Sequence, residues 1–288
     1  MLSIPKSKRP CHKPQVSPPT APSSDDGTDH LTTLRRDMVQ EIFRRLPIKD
    51  VVRTSVLAKA WRSRWVSCPN LELSFYNDDP PAAVDSVLGS YVHRPVSKFE
   101  LHVGREFMGK VDGWLCNLAA MGVRSLELRF VPTDIFEAFA GPIIPSSLFS
   151  CIEITYLELQ FWKIPTIQSS FHGFSKLVKL ILDEVSLPKK GERILELLIS
   201  MSPLLTVLCI KFPKFKNEDN GVYHGEYDKW VIRAPKLKII DLRGHDCGWQ
   251  IEDDLPLLED ANFDLEGPQL ARILSRVTKV KILYLDVS

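Results

Sequence analysis

No glycine-rich phosphate loop, no Gly-x-Ser-x-Gly elbow and no pair of histidines at metal-ligand spacing occurs in the 288 residues. The usual signatures of phosphoryl transfer, acyl transfer and zinc hydrolysis are therefore missing. The six cysteines, at positions 11, 68, 116, 151, 209 and 247, are scattered without a CxxC pair. That excludes a zinc module or a disulfide framework and reads as the reduced thiols of an intracellular protein. Charge of one sign is lacking as well: 37 Lys and Arg face 36 Asp and Glu, and the net charge of +1 supplies no bulk attraction to nucleic acid or an anionic membrane. There is no Asn-x-Ser/Thr sequon, no apolar leader, and no uninterrupted apolar run, since residues 136–164 are broken by Pro142, Pro145, Glu153 and Glu158. A membrane span needs a longer unbroken stretch. The nearest approach to a reactive cluster is His245-Asp246-Cys247, and adjacent residues on an extended chain point in different directions, unlike a Cys–His couple.

What is present is an ordinary soluble composition, 44% hydrophobic and 25% charged, in a chain long enough for a sizeable core and a small extra module. Residues 1–28 hold six prolines, several serines and almost no large apolar side chain, so burial cannot offset the entropy of ordering them and they read as a disordered tail. The basic cluster Lys6, Lys8, Arg9 and Lys13 has the composition of a nuclear-import signal and equally that of a solvated patch.

Residues 29–75 form a different kind of segment. Leu34, Met38, Val39, Ile42, Phe43 and Leu46 recur at three- and four-residue steps, which predicts an amphipathic helix ended by Pro47. A second helical run follows, with Ile48, Val51, Val52, Val56, Leu57, Ala60, Trp61 and Trp65 at helical spacing and Ser55 placed to cap its later half. About 45 residues bury too little surface for comfortable independent stability. The apolar faces therefore need the neighbouring domain, another protein, or both.

From residue 76 a linker with a helix over 82–91 leads into a repeat. Phe99-x-Leu101, Leu126-x-Leu128, Leu157-x-Leu159, Leu180-x-Leu182, Leu208-x-Ile210, Ile240-x-Leu242, Phe263-x-Leu265 and Leu283-x-Leu285 share one pattern at spacings of 27, 31, 23, 28, 32, 23 and 20 residues. Such periodicity predicts leucine-rich repeats, short parallel strands stacked into a curved solenoid with helical outer segments at 111–121, 145–151 and 192–201. The paired apolar residues face the core and the residue between them faces the open side. Down the stack, that middle position reads Glu100, Glu127, Glu158, Ile181, Cys209, Asp241, Asp264 and Tyr284. An apolar centre of Ile181, Val207, Cys209 and Ile239, edged by Lys179, Asp183, Lys211, Asp241 and Arg243, is the expected docking site for a protein target. The polar insertion over 214–229, with Gly221 and Gly225, is long enough to be a loop beside that site.

The run Leu46-Pro47-Ile48-Lys49-Asp50-Val51-Val52-Arg53-Thr54-Ser55-Val56-Leu57-Ala58-Lys59-Ala60-Trp61-Arg62, with Trp65, Pro69 and Leu71, resembles the F-box of plant F-box/leucine-rich-repeat proteins. The irregular repeats, including Phe174-Ser-Lys-Leu177 and Ala234-Pro-Lys-Leu237, resemble those that follow such F-boxes. The resemblance implies an α/β chain with a small all-helical F-box module followed by the repeat solenoid: tail 1–28, F-box 29–75, linker helix 76–95 and repeats 96–288. It also implies binding of a Skp-type adaptor, and through it a cullin, by Leu34, Ile42, Leu46, Pro47, Ile48, Val51, Val56, Leu57 and Trp61. The chain would then be the non-catalytic substrate-recognition subunit of an SCF-type ubiquitin ligase in the nucleus and/or cytoplasm, marking a protein target for proteasomal degradation without any cofactor. The alternative is a non-degradative interaction scaffold. The chain departs from the family pattern at Leu34-Arg35, where Leu-Pro is usual, and at Ala58-Lys59-Ala60, where Ser-Lys-Arg is usual. It also stops at Ser288, where members often continue into an FBD region, which reads as a shortened member or a truncated gene model.

Overall fold

A computed structural model describes residues 34–57, 61–169, 171–215, 230–244, 249–251, 255–264, 273–277 and 279–286. The N-terminal tail with its basic cluster, positions 58–60, residues 216–229 of the polar insertion, and the His245-Asp246-Cys247 triplet lie outside the described residues.

The first helix, α1 (Arg36–Arg44), turns Val39 and Phe43 inward and leaves Met38 and Ile42 exposed, so it is apolar on two sides. Pro47, with φ of −55°, then opens α2 (Ile48–Arg53), its carbonyl accepting the amides of Asp50 and Val51 at 2.9 and 3.0 Å. The second helical run is shorter than its apolar spacing predicts: α2 stops at Arg53 and tightens into a 3-10 turn at Thr54–Val56. Hydroxyl side chains explain the break, because they hydrogen-bond nearby backbone and compete with helix. Thr54 Oγ1 donates to the Val51 carbonyl at 2.7 Å. The Ser55 hydroxyl donates to the Arg62 carbonyl at 3.4 Å, and the start of the later half it was expected to cap lies outside the described residues.

A nine-stranded parallel sheet follows, in the order β1 (Glu72–Phe75), β2 (Lys98–Val103), β3 (Ser125–Phe130), β4 (Tyr156–Gln160), β5 (Lys179–Asp183), β7 (Val207–Lys211), β10 (Ile239–Arg243), β12 (Asp260–Asp264) and β13 (Ile282–Asp286). Short parallel ladders join β6 (Ser186–Leu187) to β8 (Lys214–Phe215) and β9 (Trp230–Ile232) to β11 (Trp249–Ile251). All eight segments read from the sequence as strands lie in the large sheet, and two corrections apply. The stack begins one strand earlier, at β1, whose Leu73 pairs in register with Phe99. In β12 the core pair is Ala261 and Phe263, in register with Ile240 and Leu242, and Leu265 lies outside the described residues. Ala261 contributes too little apolar signal to mark the pattern, and a slip of two residues leaves the alternation intact. Lys214 and Phe215, read as part of a loop, are strand.

Helices cover one face of the sheet. α3 (Pro81–Ser90), α4 (Met108–Ala120) and α6 (Gly191–Ser200) bury Val84 and Val87, Val111, Trp114, Leu115 and Leu118, and Leu195, Leu198 and Ile199 respectively. Residues 145–151, predicted helical, hold a 3-10 turn at Ser146–Ser150. A further short helix, α5 (Ile135–Ala140), was not predicted. One continuous core joins the helical module to the repeats: Phe43, Val51, Trp65 and Leu71 belong to the same buried cluster as Phe75, Val84, Phe99 and Leu126.

At the end of successive strands the chain turns a corner through one left-handed residue: Phe161 (φ 60°), Glu184 (48°), Phe212 (47°) and Gly244 (133°). Each corner amide donates to the carbonyl that ends the next strand, at Asp183, Lys211, Arg243 and Asp264, over 2.8 to 3.2 Å. The turn redirects the backbone into the second ladder, in which Lys163, Ser186 and Lys214 stand side by side. Among the described residues no helix is long and apolar enough to cross a membrane.

Candidate protein-interaction surfaces

Two surfaces carry the sequence-derived candidates. On the helical module the nine adaptor-facing candidates divide by burial. Ile48, Val51 and Trp61 point inward, and the Trp61 indole meets the Phe43 ring edge-on at 5.7 Å. Leu34 is half-buried against the same core. Ile42, Leu46, Pro47, Val56 and Leu57 are exposed, Val56 at 85% and Leu57 at 59%, and Met38 joins them at 52%. A module of this size with six exposed apolar residues presents more greasy surface than isolated surface hydrophobes would.

The repeat candidates share one face of three adjacent strands. In register across β5, β7 and β10 run Lys179, Val207 and Ile239; then Ile181, Cys209 and Asp241; then Asp183, Lys211 and Arg243. The structure thus brings all nine candidates into one grid, with Ile239 exposed and the others partly buried. Asp241 is held by Arg243 Nε at 2.9 Å and Lys211 Nζ at 3.7 Å. Burial pushes the Cys209 thiol up, with the Asp241 charge adding to it, so Cys209 acts as a small apolar lining rather than a nucleophile. Burial likewise raises Asp183. In β12 the middle position belongs to Asn262, which is in register with Asp241; Asp264 stands opposite Arg243 instead.

Towards the helical module the same row becomes acidic. Glu100, Glu127 and Glu158 are neighbours on β2, β3 and β4, a like-charge ladder that opposes pairing unless it is matched. Lys98 Nζ supplies the match, lying 3.2 Å from both Glu100 and Glu127. Burial raises Glu127 against the pull of Lys98. For Glu100 burial acts in the same direction but is outweighed by Lys98, Ser74 and His102, so its carboxyl sits below the ordinary glutamate value.

Sequence reasoning missed a third surface. Ile135, Phe136 and Phe139 of α5 are exposed, as are Ile143 and Phe212. The available signal is a six-residue segment, Ile135–Ala140, with almost no polar face.

Comparison with known proteins assigns the fold to a family. The family model described as FBD-associated F-box protein At5g56370, LRR repeats, matches residues 111–282, and the F-box domain model matches residues 36–73. The chain belongs to the plant F-box/leucine-rich-repeat family. Its relatives in Arabidopsis thaliana include the F-box/FBD/LRR-repeat protein At1g13570, 28% identical over 65% of this chain and 45% of that protein. The F-box/FBD/LRR-repeat protein At5g56420 is 27% identical over 89% of this chain and 65% of that one, and the F-box/LRR-repeat protein At3g26922 is 27% identical over 90% of each. The chain therefore spans less than two thirds of the length of the first two. Among solved structures, a plant peptide hormone receptor, RGFR1 in complex with RGF2, aligns at a TM-score of 0.30 and 16% identity over 78% of this chain and 42% of that one. The helical module is thus the F-box, and the sheet with its covering helices is the repeat domain. F-box proteins of this kind are adaptor-type proteins that mediate protein interactions.

Proposed function

We propose that this chain is the substrate-recognition subunit of an SCF-type ubiquitin ligase. The observation that carries the reading is the set of exposed apolar residues on a module that already buries Val39, Phe43, Ile48, Val51 and Trp61: Met38, Ile42, Leu46, Pro47, Val56 and Leu57. A Skp-type adaptor, itself bound to a cullin, covers this face, while Ile48, Val51 and Trp61 support it from behind. The F-box occupies residues 29–75, with the first sheet strand inside that segment, and the linker 76–95 and repeats 96–288 follow. The grid around Ile181, Val207, Cys209 and Ile239 takes the protein target. The chain contributes no chemistry of its own; tethering raises the effective concentration of target lysines near the loaded enzyme. It works in the nucleus and/or cytoplasm.

Co-purification with a Skp-type adaptor tests the proposal. Leu46→Arg with Leu57→Arg abolishes capture while the melting temperature stays that of the parent, since both side chains are exposed. Trp61→Ala is unsuited to this purpose: truncating so buried an indole costs about 3–5 kcal/mol of stability and would mimic a lost contact. Undiminished capture by the Leu46→Arg, Leu57→Arg variant sinks the adaptor reading.

A further inference from the structure

The sheet face that the helices leave open is acidic, although the whole chain carries a net charge of only +1. On β1 to β4 it presents Glu72, Glu100, Glu127 and Glu158 against Lys98 and Arg129. His102 adds no firm cation, because burial holds its imidazole below the ordinary histidine value. On β5 to β12 the balance is closer, with Asp183, Asp241, Asp260 and Asp264 against Lys179, Lys211 and Arg243. Most of these acids are answered by their neighbours. Asp241 is held by Arg243 and Lys211, and Asp264 stands opposite Arg243. Asp183 accepts Gln160 Nε2 at 3.1 Å and feels the charges of Lys211 and Arg129. Glu100 takes Lys98, the Ser74 hydroxyl at 3.1 Å and His102 at 3.0 Å. Glu72 is exposed to solvent, and Asp260 stands apart between Ile239 and Ile282. Glu127 and Glu158, side by side in register, are answered only in part. Lys98 Nζ lies 3.2 Å from Glu127 Oε1, and the neutral Tyr156 hydroxyl donates to Glu158 Oε2 at 2.5 Å. Among the described residues Glu127 Oε2 and Glu158 Oε1 accept no hydrogen bond. Lys179 places its ammonium over the Tyr156 ring, 5.0 Å from the centroid.

Two adjoining half-buried carboxylates disfavour each other's charged form, and a cation placed between them relieves that. A metal ion is not the cation this arrangement fits, since among the described residues no group of His, Cys, Asp and Glu is placed to hold one. The next position along the row is apolar. Ile181 is in register with Glu158, Cys209 follows it on β7, and Val207 and Ile239 lie in the adjoining row. A charge deficit that borders an apolar step suits a side chain of a protein better than a small cation, which would leave the step bare. Strands lie about 4.8 Å apart, so the point midway between Glu127 and Glu158 is about 7 Å from Ile181. Two residues of extended chain, at about 3.3 Å each, span that distance and put both side chains on one face. We infer that the β3–β5 part of the open face binds an extended protein segment, with an arginine or lysine over Glu127 and Glu158 and a large apolar residue two positions away on Ile181. Arginine fits best, because its planar fork offers donors to two carboxylates at once. This deepens the reading of the grid as the target-binding part and rests on it. It adds a charged anchor one strand beyond the grid and gives the target a chemistry.

The experiment pans a displayed library of random twelve-residue peptides over the immobilised full chain. Enriched peptides are expected to be net basic and to share an Arg or Lys two positions from a large apolar residue, in either direction. Their binding falls at least tenfold in Glu127→Gln with Glu158→Gln, and it weakens with added salt in the parent but not in that variant. Glu158→Gln alone, read in parallel with melting temperatures, replaces the pair should that one unfold. Ile181→Thr keeps the selection for a basic residue and loses the selection for the apolar one. Enriched peptides that are not basic, or basic ones that the double variant still binds, overturn the inference; where their binding falls in Ile181→Thr, the grid remains the target site. No enrichment, or enrichment indifferent to every variant, defeats the grid and the charged anchor together. A dimer in sedimentation that Glu127→Gln with Glu158→Gln dissolves also overturns the inference, since a second copy would then be the occupant. Adaptor capture by the same preparations reports on the F-box alone, so retained capture without peptide binding leaves the adaptor reading standing.

Discussion

Lys49 of α2 holds its ammonium 2.8 Å from Oδ1 of Asp79, a carboxylate buried at the junction between β1 and α3 whose other oxygen accepts the Tyr76 amide at 2.8 Å. Asp79 first, then Asp78, keep the Lys49 ammonium above its ordinary value. The F-box is thus fastened to the first repeat by a buried acid as well as by shared core. Asp79→Ala is expected to destabilise the whole chain by about 2 kcal/mol, the range for hydrogen bonds to a charged group. Asp78→Ala, at a 79% exposed side chain, leaves the melting temperature within error. Equal melting temperatures for the two variants contradict the latch.

A pH dependence follows from the cap of α5. Asp134 accepts the Glu137 amide at 2.7 Å, and Glu137 reaches back to the Thr133 amide and hydroxyl, a reciprocal arrangement of the capping-box type. These bonds, from the Thr133 backbone first and then its hydroxyl and Arg105, pull the Glu137 carboxyl from 4.5 down to about 2. A carboxylate depressed in the folded state stabilises at pH above its unfolded value, and that contribution is lost as pH falls from about 4.5 towards 2. Melting curves of the parent and Glu137→Gln should stay apart between pH 5 and pH 7 by a constant gap, to the order of precision of such curves, and converge across that acid window. A gap that persists unchanged at the acid end is inconsistent with this role for Glu137.

Two glycines make opposite predictions. At Gly173, φ is +88° and an added Cβ would stand 2.3 Å from the Met201 carbonyl oxygen, so Gly173→Ala should cost about 3 kcal/mol through torsional strain and overlap. Gly113 lies inside α4 with nothing within 4 Å of such a Cβ. There the same change should add about 1 kcal/mol by favouring helix. Denaturant midpoints of the two variants, read against the parent, decide both.

The parallel stack was legible in the sequence because most strands repeat two large apolar residues one position apart, as in Leu126-Glu127-Leu128. Where the pattern thinned it misled: Ala261 weakened the seventh strand, and Leu73-Ser74-Phe75 was absorbed into the F-box because the helical run preceding it was the stronger signal. The split of the F-box candidates was not legible. Ile42 and Phe43 look alike in sequence, and only the packing of Phe43 on Trp61 separates the inward residue from the outward one. The repeat candidates lie side by side on three strands because parallel register carries a one-dimensional reading into neighbouring positions. The α5 surface was not legible, since its exposure depends on where Gly141 lets the chain turn.

The row of left-handed corners bears on how such irregular repeats keep step. Phe161, Glu184, Phe212 and Gly244 put an aromatic, an acid and a glycine at the same corner, yet each amide meets the carbonyl that closes the next strand. What recurs from one coil to the next is a positive φ and a backbone bond, which leave no consensus letter. Substitution can therefore erase the visible repeat from the sequence long before it disturbs the stacking, and in-register spacings of 21 to 32 residues can share one sheet because the excess length is spent after the corner has been turned.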